Sequence, residues 1–281
     1  MLHWASTALF SIVLTNLCRN AAGIRPTGLA SFLPQLRSTT LNAQWSVEGY
    51  SQLDLMNHDE CIVVDENDMI IGHTSKYEAH RFDQVSAPSG VLHRAFSVFL
   101  FNNEGKLLLQ QRASSKITFP NVWTNTCCSH PLYGYQPSEV DDEESVAMGK
   151  VQGTVAAARR KLNHELGICS EDVPSDDFKY LGRLHYCAAD TNDKSWGEHE
   201  IDYILFIRKD VSSFDFNSEE IQNVKYVTLQ ELQAMMDPSS GLLWSPWFKI
   251  IVDKFLVKWW SNLDKTFTTD ELVDLKTIHK F

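Results

Sequence analysis

The first 47 residues of this 281-residue chain hold no aspartate or glutamate, although the whole chain carries a formal charge of −11. Arg19, Arg25 and Arg37 stand there among Ser, Thr, Ala and Leu, with a short apolar run at residues 8–14. Acid-poor leaders with arginine and serine are typical of organelle transit sequences, and an apolar run can be the core of a signal peptide. A signal followed by a transit sequence accounts for both features; a tail without an address is the plainer alternative. Residues 1–47 are therefore set aside as a targeting segment, and residues 48–281 are read as the folded catalytic domain. No apolar run approaches the roughly 20 residues of a transmembrane helix, so no membrane span is expected.

Net positive charge is missing too, which argues against a nucleic-acid or anionic-membrane surface. An anionic substrate must then be met by local cations or metal ions working against a repulsive overall field. The six cysteines include no CxxC pair, and two of them, Cys127 and Cys128, are adjacent. That excludes a disulfide framework or a zinc knuckle and favours a reducing compartment. There is no internal repeat and no low-complexity tract. With 43% hydrophobic and 22% charged residues the composition is that of an ordinary globular protein, long enough for one large core or two small ones.

From Glu48 onward short strands and helices are readable. Residues 61–65 and 69–71 form two strands about Glu66-Asn-Asp68, since Asn and Asp tolerate tight-turn dihedrals. Residues 94–101 and 106–112 repeat the device around Asn102-Asn-Glu-Gly105. Residues 133–152, polar and acidic, read as a surface loop without chemical consequence. Val155, Ala158, Leu162 and Leu166 share one face of a helix over 155–166 that Gly167 ends. Strands follow at 182–188, 200–207 and 224–227, then a helix capped by Thr228. Pro246 opens a last helix over 247–260, apolar on more than one side and hence well buried. The pattern predicts one α+β domain of antiparallel strands flanked by helices.

Chemistry concentrates in two stretches. In Asn125-Thr-Cys-Cys-Ser-His-Pro131, Cys128 and His130 are two residues apart and share a face in extended backbone. In Trp196-Gly-Glu-His-Glu200, Glu198 and Glu200 do the same. With His80 and His93 these residues offer a nitrogen-and-oxygen set suited to Zn²⁺ or Mn²⁺. Spacing alone does not show that they converge, and a single His beside a strand is usually structural. Glu200 leads into a very apolar strand, where burial raises a carboxyl pKa and a metal lowers it. Cys128 is either a reactive thiol or a small buried core residue. Tyr186 can donate a hydrogen bond to either group or simply pack. Lys76, Arg112 and Lys116 lie at element edges and can meet phosphate oxygens. Glu165 can hold Mg²⁺ against a diphosphate or be solvated, and Trp247 can face a cation or fill the core.

Taken together these segments resemble the type I isopentenyl-diphosphate delta-isomerases. The resemblance is carried by Leu92-His-Arg-Ala-Phe-Ser-Val-Phe-Leu-Phe101, Leu107-Leu-Leu-Gln-Gln-Arg112, Thr124-Asn-Thr-Cys-Cys-Ser-His-Pro131, Trp196-Gly-Glu-His-Glu-Ile-Asp-Tyr203 and Ser245-Pro-Trp-Phe248. It runs from about Asp59 to the C-terminus. It implies a Nudix-like α+β domain with a mixed central sheet, and interconversion of isopentenyl and dimethylallyl diphosphate in isoprene biosynthesis. Cys128 matches the catalytic thiol and Glu200 its catalytic counterpart, with Tyr186 beside it. His80, His93, His130, Glu198 and Glu200 match a site for Mn²⁺ or Zn²⁺, and Glu165 a Mg²⁺ carboxylate. Lys76, Arg112, Lys116 and the Ser129 backbone match diphosphate contacts, and Trp247 the aromatic residue over the hydrocarbon tail. A monomer acting on a small molecule, imported into a plastid, is the implied setting; mitochondrion or cytoplasm are the alternatives.

Two departures stand out. The Nudix signature wants several acidic residues about an arginine, whereas Arg160-Lys-Leu-Asn-His-Glu-Leu-Gly167 keeps only Arg160, Glu165 and Gly167 of it. Hydrolysis of a diphosphate is therefore disfavoured. The segment between His80 and His93 is long, which leaves the placement of His80 for the structure to decide. The rival readings are a Nudix-type diphosphohydrolase and a non-catalytic prenyl-diphosphate or metal-binding protein.

Overall fold

The computed structural model describes residues 51–83, 85, 89–211 and 213–281; the targeting segment expected at residues 1–47 lies outside them. Helix α1 (Gln52–His58) starts with a capping box in which Ser51 and Asp54 satisfy each other's backbone N–H groups. Strands β1 (Glu60–Val64) and β2 (Ile70–Ser75) pair as the expected hairpin, and α2 (Lys76–His80) follows at once, capped by the Ser75 hydroxyl. Next come β3 (His93–Phe101), β4 (Leu107–Arg112), β5 (Trp123–Thr124) and β6 (Cys127–Ser129). Two helices, α3 (Glu143–Ala147) and α4 (Gln152–Leu166), precede the long strands β7 (Lys179–Ala189) and β8 (Gly197–Arg208). The chain ends with β9 (Ile221–Val227), α5 (Leu229–Met236), α6 (Pro246–Ile251), a π-helical turn Val252–Leu256, α7 (Val257–Ser261), α8 (Leu263–Thr268) and β10 (Ile278–Lys280).

The sheet runs β10-β7-β8-β3-β1-β2. It is mixed, which corrects the antiparallel expectation read from the residues and agrees with the mixed sheet that the resemblance implied. β3 lies parallel to β8 over nine register pairs, from His93↔Glu200 to Phe101↔Arg208. Every residue of β3 is buried. A parallel strand covered on both faces reads as one continuous apolar run, and that run carries no mark of its neighbour's direction. Along its other edge β3 is shared by three short partners: β1 at Val63↔His93, β6 at residues 96–98 and β4 at Phe101↔Leu107.

Alternation along these strands builds two cores. Phe96, Val98 and Leu100 of β3 join Ile201, Tyr203 and Leu205 of β8 beneath α4. Phe99 and Phe101 join Ile204 and Phe206 on the other face, beneath the C-terminal helices. The helical face predicted for α4 (Val155, Ala158, Leu162, Leu166) is buried throughout, and Gly167 closes it at φ +69°. The helix starts three residues earlier than predicted because its cap is remote in sequence. Asp141 accepts from the Gly153 N–H at 2.7 Å and the Thr154 N–H at 2.8 Å. The last helix is interrupted by its π turn. Phe248 and Ile251 before it, and Leu256, Trp259 and Trp260 after it, all reach the same core. The five-residue step from Ile251 to Leu256 is the spacing of a π turn, and it returns the helix to the sheet.

A buried ion network ties the hairpin to this sheet. Asp68, in the β1–β2 turn at φ +67°, accepts from Arg94 Nε at 2.7 Å, from Arg183 Nη1 at 2.9 Å and from the Tyr203 hydroxyl. Arg94 completes its donors on the backbone oxygens of Asp68 and Asp141. Asn tolerates the left-handed backbone that Asp68 adopts, so Asp68→Asn keeps the turn while it removes the charge and turns one acceptor oxygen into an amide donor. The variant leaves the buried Arg94 and the partly buried Arg183 uncompensated and is expected to lower unfolding stability by about 3–5 kcal/mol in urea titrations.

Candidate active site

Five ligand-type side chains that are scattered in sequence meet at one point. The donor atoms of His80, His93, His130, Glu198 and Glu200 all lie within 4.8 Å of one another, and all five residues are buried. His80 ends α2, His93 opens β3, His130 follows β6, and the glutamates alternate along β8. Register sets the contact: His93 is opposite Glu200 across β3/β8, and Tyr186 is opposite Glu200 across β7/β8.

Two imidazoles are oriented from behind. His80 Nδ1 lies 2.7 Å from the Lys76 carbonyl oxygen and His93 Nδ1 2.7 Å from that of Val91. A carbonyl only accepts, so each Nδ1 carries the proton and each Nε2 presents a lone pair to the centre. His80 Nε2 is 2.8 Å from Glu198 Oε2, yet neither atom has a hydrogen-bond partner among the described residues. His93 Nε2, 3.7 Å from Glu200 Oε1, also has none. His130 holds Glu200 Oε1 at 2.8 Å and leaves its own Nδ1 without a partner. Buried polar atoms are rarely abandoned, and lone pairs converging without donors fit a divalent cation. Burial pushes His93 down to about 3 and His130 well below its ordinary value, so both rings are neutral, as ligands must be. Burial, with Glu198 and Asp202 nearby, raises Glu200 well above the usual range.

Beside this centre lies a pocket that most of the candidate residues line. Cys128 forms one wall. It sits in the middle of β6 opposite Ser97, and the strand alternation sends Cys127 into the core instead. Burial pushes the Cys128 thiol up to about 12 although Arg112 Nη1, 3.8 Å away, works against it. The group therefore holds its proton. Glu200 and Tyr186 line the same pocket, the Tyr186 hydroxyl donating to Glu200 Oε2. Trp247 adds an aromatic side, fixed by its Nε1–H on Asn125 Oδ1 at 3.1 Å and flanked by Arg112 at 5.7 Å from the ring.

The cations predicted for an anion lie on the same pocket. Lys76, Arg112, Lys116 and Ser129 all line it. Arg112 is aimed by the carbonyls of Thr118 and Phe119, at 2.8 and 3.0 Å, and Lys116 pairs with Glu220. Glu165 lines the pocket from α4 but stands apart from the five-residue centre, one oxygen 3.1 Å from Lys161 Nζ and the other 3.0 Å from Gln110 Nε2. His93 is the single predicted site residue that does not line the pocket; fully buried, it supports the centre from behind.

Several lining residues escaped the sequence reading. Lys161 shares its wall with Glu165, and their i,i+4 spacing was a usable signal. Gln52 and Met56 reach the pocket from α1, which only the capping pattern of Ser51 and Asp54 announced. The expected inert surface loop at 133–152 also needs correction. Glu139, inside it, is buried, accepts from the Leu132 N–H at 2.8 Å and grips Arg160 through both carboxylate oxygens. Arg160 in turn donates to the His130 carbonyl at 3.3 Å. The loop thus braces a ligand of the centre. Its polar composition hid this because a buried carboxylate and an exposed one look alike in sequence.

The NUDIX domain family model matches residues 91–248, which makes this a Nudix-domain protein. A protein of Cannabis sativa named isopentenyl-diphosphate Delta-isomerase 1, chloroplastic, is 52% identical over 233 residues, covering 82% of this chain and 77% of that one. Isopentenyl-diphosphate Delta-isomerase I, chloroplastic, of Arabidopsis thaliana is 46% identical over 267 residues, covering 88% and 87%. Isopentenyl-diphosphate Delta-isomerase I of Camptotheca acuminata is 49% identical over 233 residues, covering 82% and 94%. The chain belongs to the isopentenyl-diphosphate Delta-isomerase family.

If the five side chains hold a cation, His93→Ala must weaken it by more than the about 10–100-fold that loss of a supporting hydrogen bond costs. Metal per chain after dialysis against a graded chelator measures this, and retention equal to wild type would rule the site out.

Proposed function

We propose that this protein interconverts isopentenyl and dimethylallyl diphosphate, with Cys128 and Glu200 handling the protons. The observation that carries the reading is that one pocket is lined both by a protonated thiol on β6 and by a carboxyl on β8 bound to a tyrosine hydroxyl. Shifting the double bond means adding a proton to the terminal carbon, leaving a tertiary carbocation-like centre, then removing a proton from the carbon next to the diphosphate arm. One group donates and the other accepts, and the reverse reaction exchanges their roles. The Tyr186 hydroxyl orients Glu200 toward the pocket. Trp247 supports this reading in two ways: its face attracts developing positive charge, and its bulk keeps out the water that would trap the cation.

A divalent ion, Mn²⁺ or Zn²⁺, held by His80, His93, His130, Glu198 and Glu200 would fix Glu200 and balance its charge. Lys76, Arg112, Lys116 and the Ser129 backbone region are assigned to the diphosphate, whose binding supplies energy away from the reacting carbons. A Mg²⁺ at Glu165 requires Lys161 to release the oxygen it now holds. Enzymes lower barriers by about 8–23 kcal/mol, so proton transfer, positioning and exclusion of water must act together.

Hydrolysis of the diphosphate is disfavoured because residues 160–167 keep only Arg160, Glu165 and Gly167 of the signature and lose its other acidic residues. Among the described residues no helix is long and apolar enough to cross a membrane. A monomer is the proposed state, since one chain supplies every side chain assigned to the reaction. Residues 1–47 are assigned as a transit segment and the plastid as the destination, on the acid-free leader and the relatives named chloroplastic. Fused to a fluorescent reporter in plant cells, residues 1–47 are expected to deliver it to plastids; a cytosolic signal would overturn the assignment.

Proton NMR of isopentenyl diphosphate in D₂O tests the reaction directly. Wild type is expected to form dimethylallyl diphosphate with deuterium in a methyl group and to release no phosphate. Cys128→Ala and Glu200→Gln are each expected to cut kcat by about 10²–10⁴-fold or more without loss of folding. Wild-type turnover by Cys128→Ala would remove the thiol from the mechanism.

A further inference from the structure

We propose that Glu220 is a positioning residue for the diphosphate: one buried carboxylate that sets the ammonium groups of Lys116 and Lys161 side by side in the pocket wall. The inference rests on the prenyl-diphosphate reading above. Glu220 is 3% exposed and does not itself line the pocket, whereas both lysines do. Its Oε2 accepts from Lys116 Nζ, and its Oε1 lies 3.5 Å from Lys161 Nζ. The two cations come from unrelated parts of the chain, a turn after β4 and the middle of α4, and this carboxylate is what they share.

The carboxylate is itself firmly held. Its residue immediately precedes β9, where Ile221 is in register with Arg112 of β4. The Glu220 N–H donates to Asn217 O at 3.0 Å, and its carbonyl accepts from the Ala113 N–H at 3.0 Å. The Lys116 turn is tied to the same backbone, Ser115 Oγ donating to Glu219 O at 3.1 Å. The Arg112 strand, the Lys116 turn and the Lys161 helix are therefore all referenced to residues 219–221.

The chemistry explains why an anion belongs next to an anion site. Two ammonium groups in a desolvated wall repel each other, and a lysine stem is too flexible to hold a position unaided. An ammonium has three N–H donors. Lys116 gives one to Glu220, which leaves two for phosphate oxygens. Lys161 also touches Glu165 at 3.1 Å and His164 Nδ1 at 3.0 Å, so its position is fixed from three sides and it offers the diphosphate its charge, with its three donors already engaged. Burial pulls Lys116 down to about 8 despite Glu220, which shows how much this ammonium needs its partner. Glu220 thus acts on the substrate only through the lysines.

Steady-state kinetics on full-length protein tests this. Glu220→Gln keeps the shape and removes the charge. It is expected to raise both the KM for isopentenyl diphosphate and the inhibition constant of inorganic diphosphate by roughly 10–100-fold, the scale of one charged hydrogen bond, while kcat falls far less. The double variant Lys116→Gln/Glu220→Gln is expected to lose clearly less than the sum of the two single losses, keeping only the part of the Glu220 effect that runs through Lys161. If Glu220→Gln does not accumulate folded, Glu220→Asp, which withdraws the charge by one methylene, is expected to give the same KM-selective loss at smaller size. Unchanged KM and inhibition by diphosphate, or additive losses in the double variant, would overturn the proposal. So would a fall in kcat and stability together with KM unmoved. Absence of deuterium exchange in wild type would instead sink the isomerase reading, and the two failures are thereby separate.

Discussion

The register of β8 between β7 and β3 is the constraint on which the site depends. It places Glu200 opposite His93 on one side and Tyr186 on the other, and alternation then turns Glu198 to the same face. A slip of one residue would send both glutamates through the sheet and bring up His199, which now pairs with His185 at 3.0 Å. Nothing at the site itself prevents that slip. It is resisted by the interdigitated aromatic and aliphatic side chains of β3 and β8 on both faces, where one register buries Phe99 against Phe206 at 5.3 Å between ring centres. The apolar interior thus fixes where the carboxylates stand, and the price of that precision is a strand with almost no exposed residue.

Charge follows the same logic. The chain is strongly acidic overall, so the pocket collects cations against the general field, and three of them are restrained by internal groups, Arg112 by two carbonyls and Lys116 and Lys161 by Glu220. Away from the pocket Arg160 is held in the same way by Glu139, and Arg94 by Asp68. Buried pairs of this kind contribute little net stability, since desolvation offsets most of the attraction. Their value lies in direction: a guanidinium or ammonium held on one side presents its remaining donors on the other.

Much of this was legible in the sequence, and the missing parts share a physical cause. Apolar runs bounded by turn residues located β3, β4 and β8, and helical spacing located α4, because those signals are local. The identities of the site residues came from motif resemblance; spacing alone left His80, His93 and His130 as separate candidates. Convergence escaped because it depends on register between strands more than a hundred residues apart. The same non-locality hid the parallel pairing of β3 with β8, the Asp141 cap of α4 and the Glu139 brace behind His130. The π turn escaped for another reason: its single extra residue leaves the helical apolar pattern nearly intact.

The arrangement also accounts for how a Nudix domain can favour proton transfer over hydrolysis. The signature helix α4 retains Glu165, but an ammonium and an amide occupy its two oxygens, and the other residues of 160–167 offer no second carboxylate to gather metal ions around a diphosphate. The ligand-rich centre has instead been built at the start of β3 and β8, next to the thiol wall. An ion held there would lie beside Glu200 and not on the signature helix. Under the proposed reading the phosphates are left to cations that hold without activating water, while Cys128 and Glu200 share the pocket with Trp247 and Tyr186. Such a division of a charged grip from the proton-transfer groups would let one small cavity bind a strongly hydrated anion and still keep a carbocation dry.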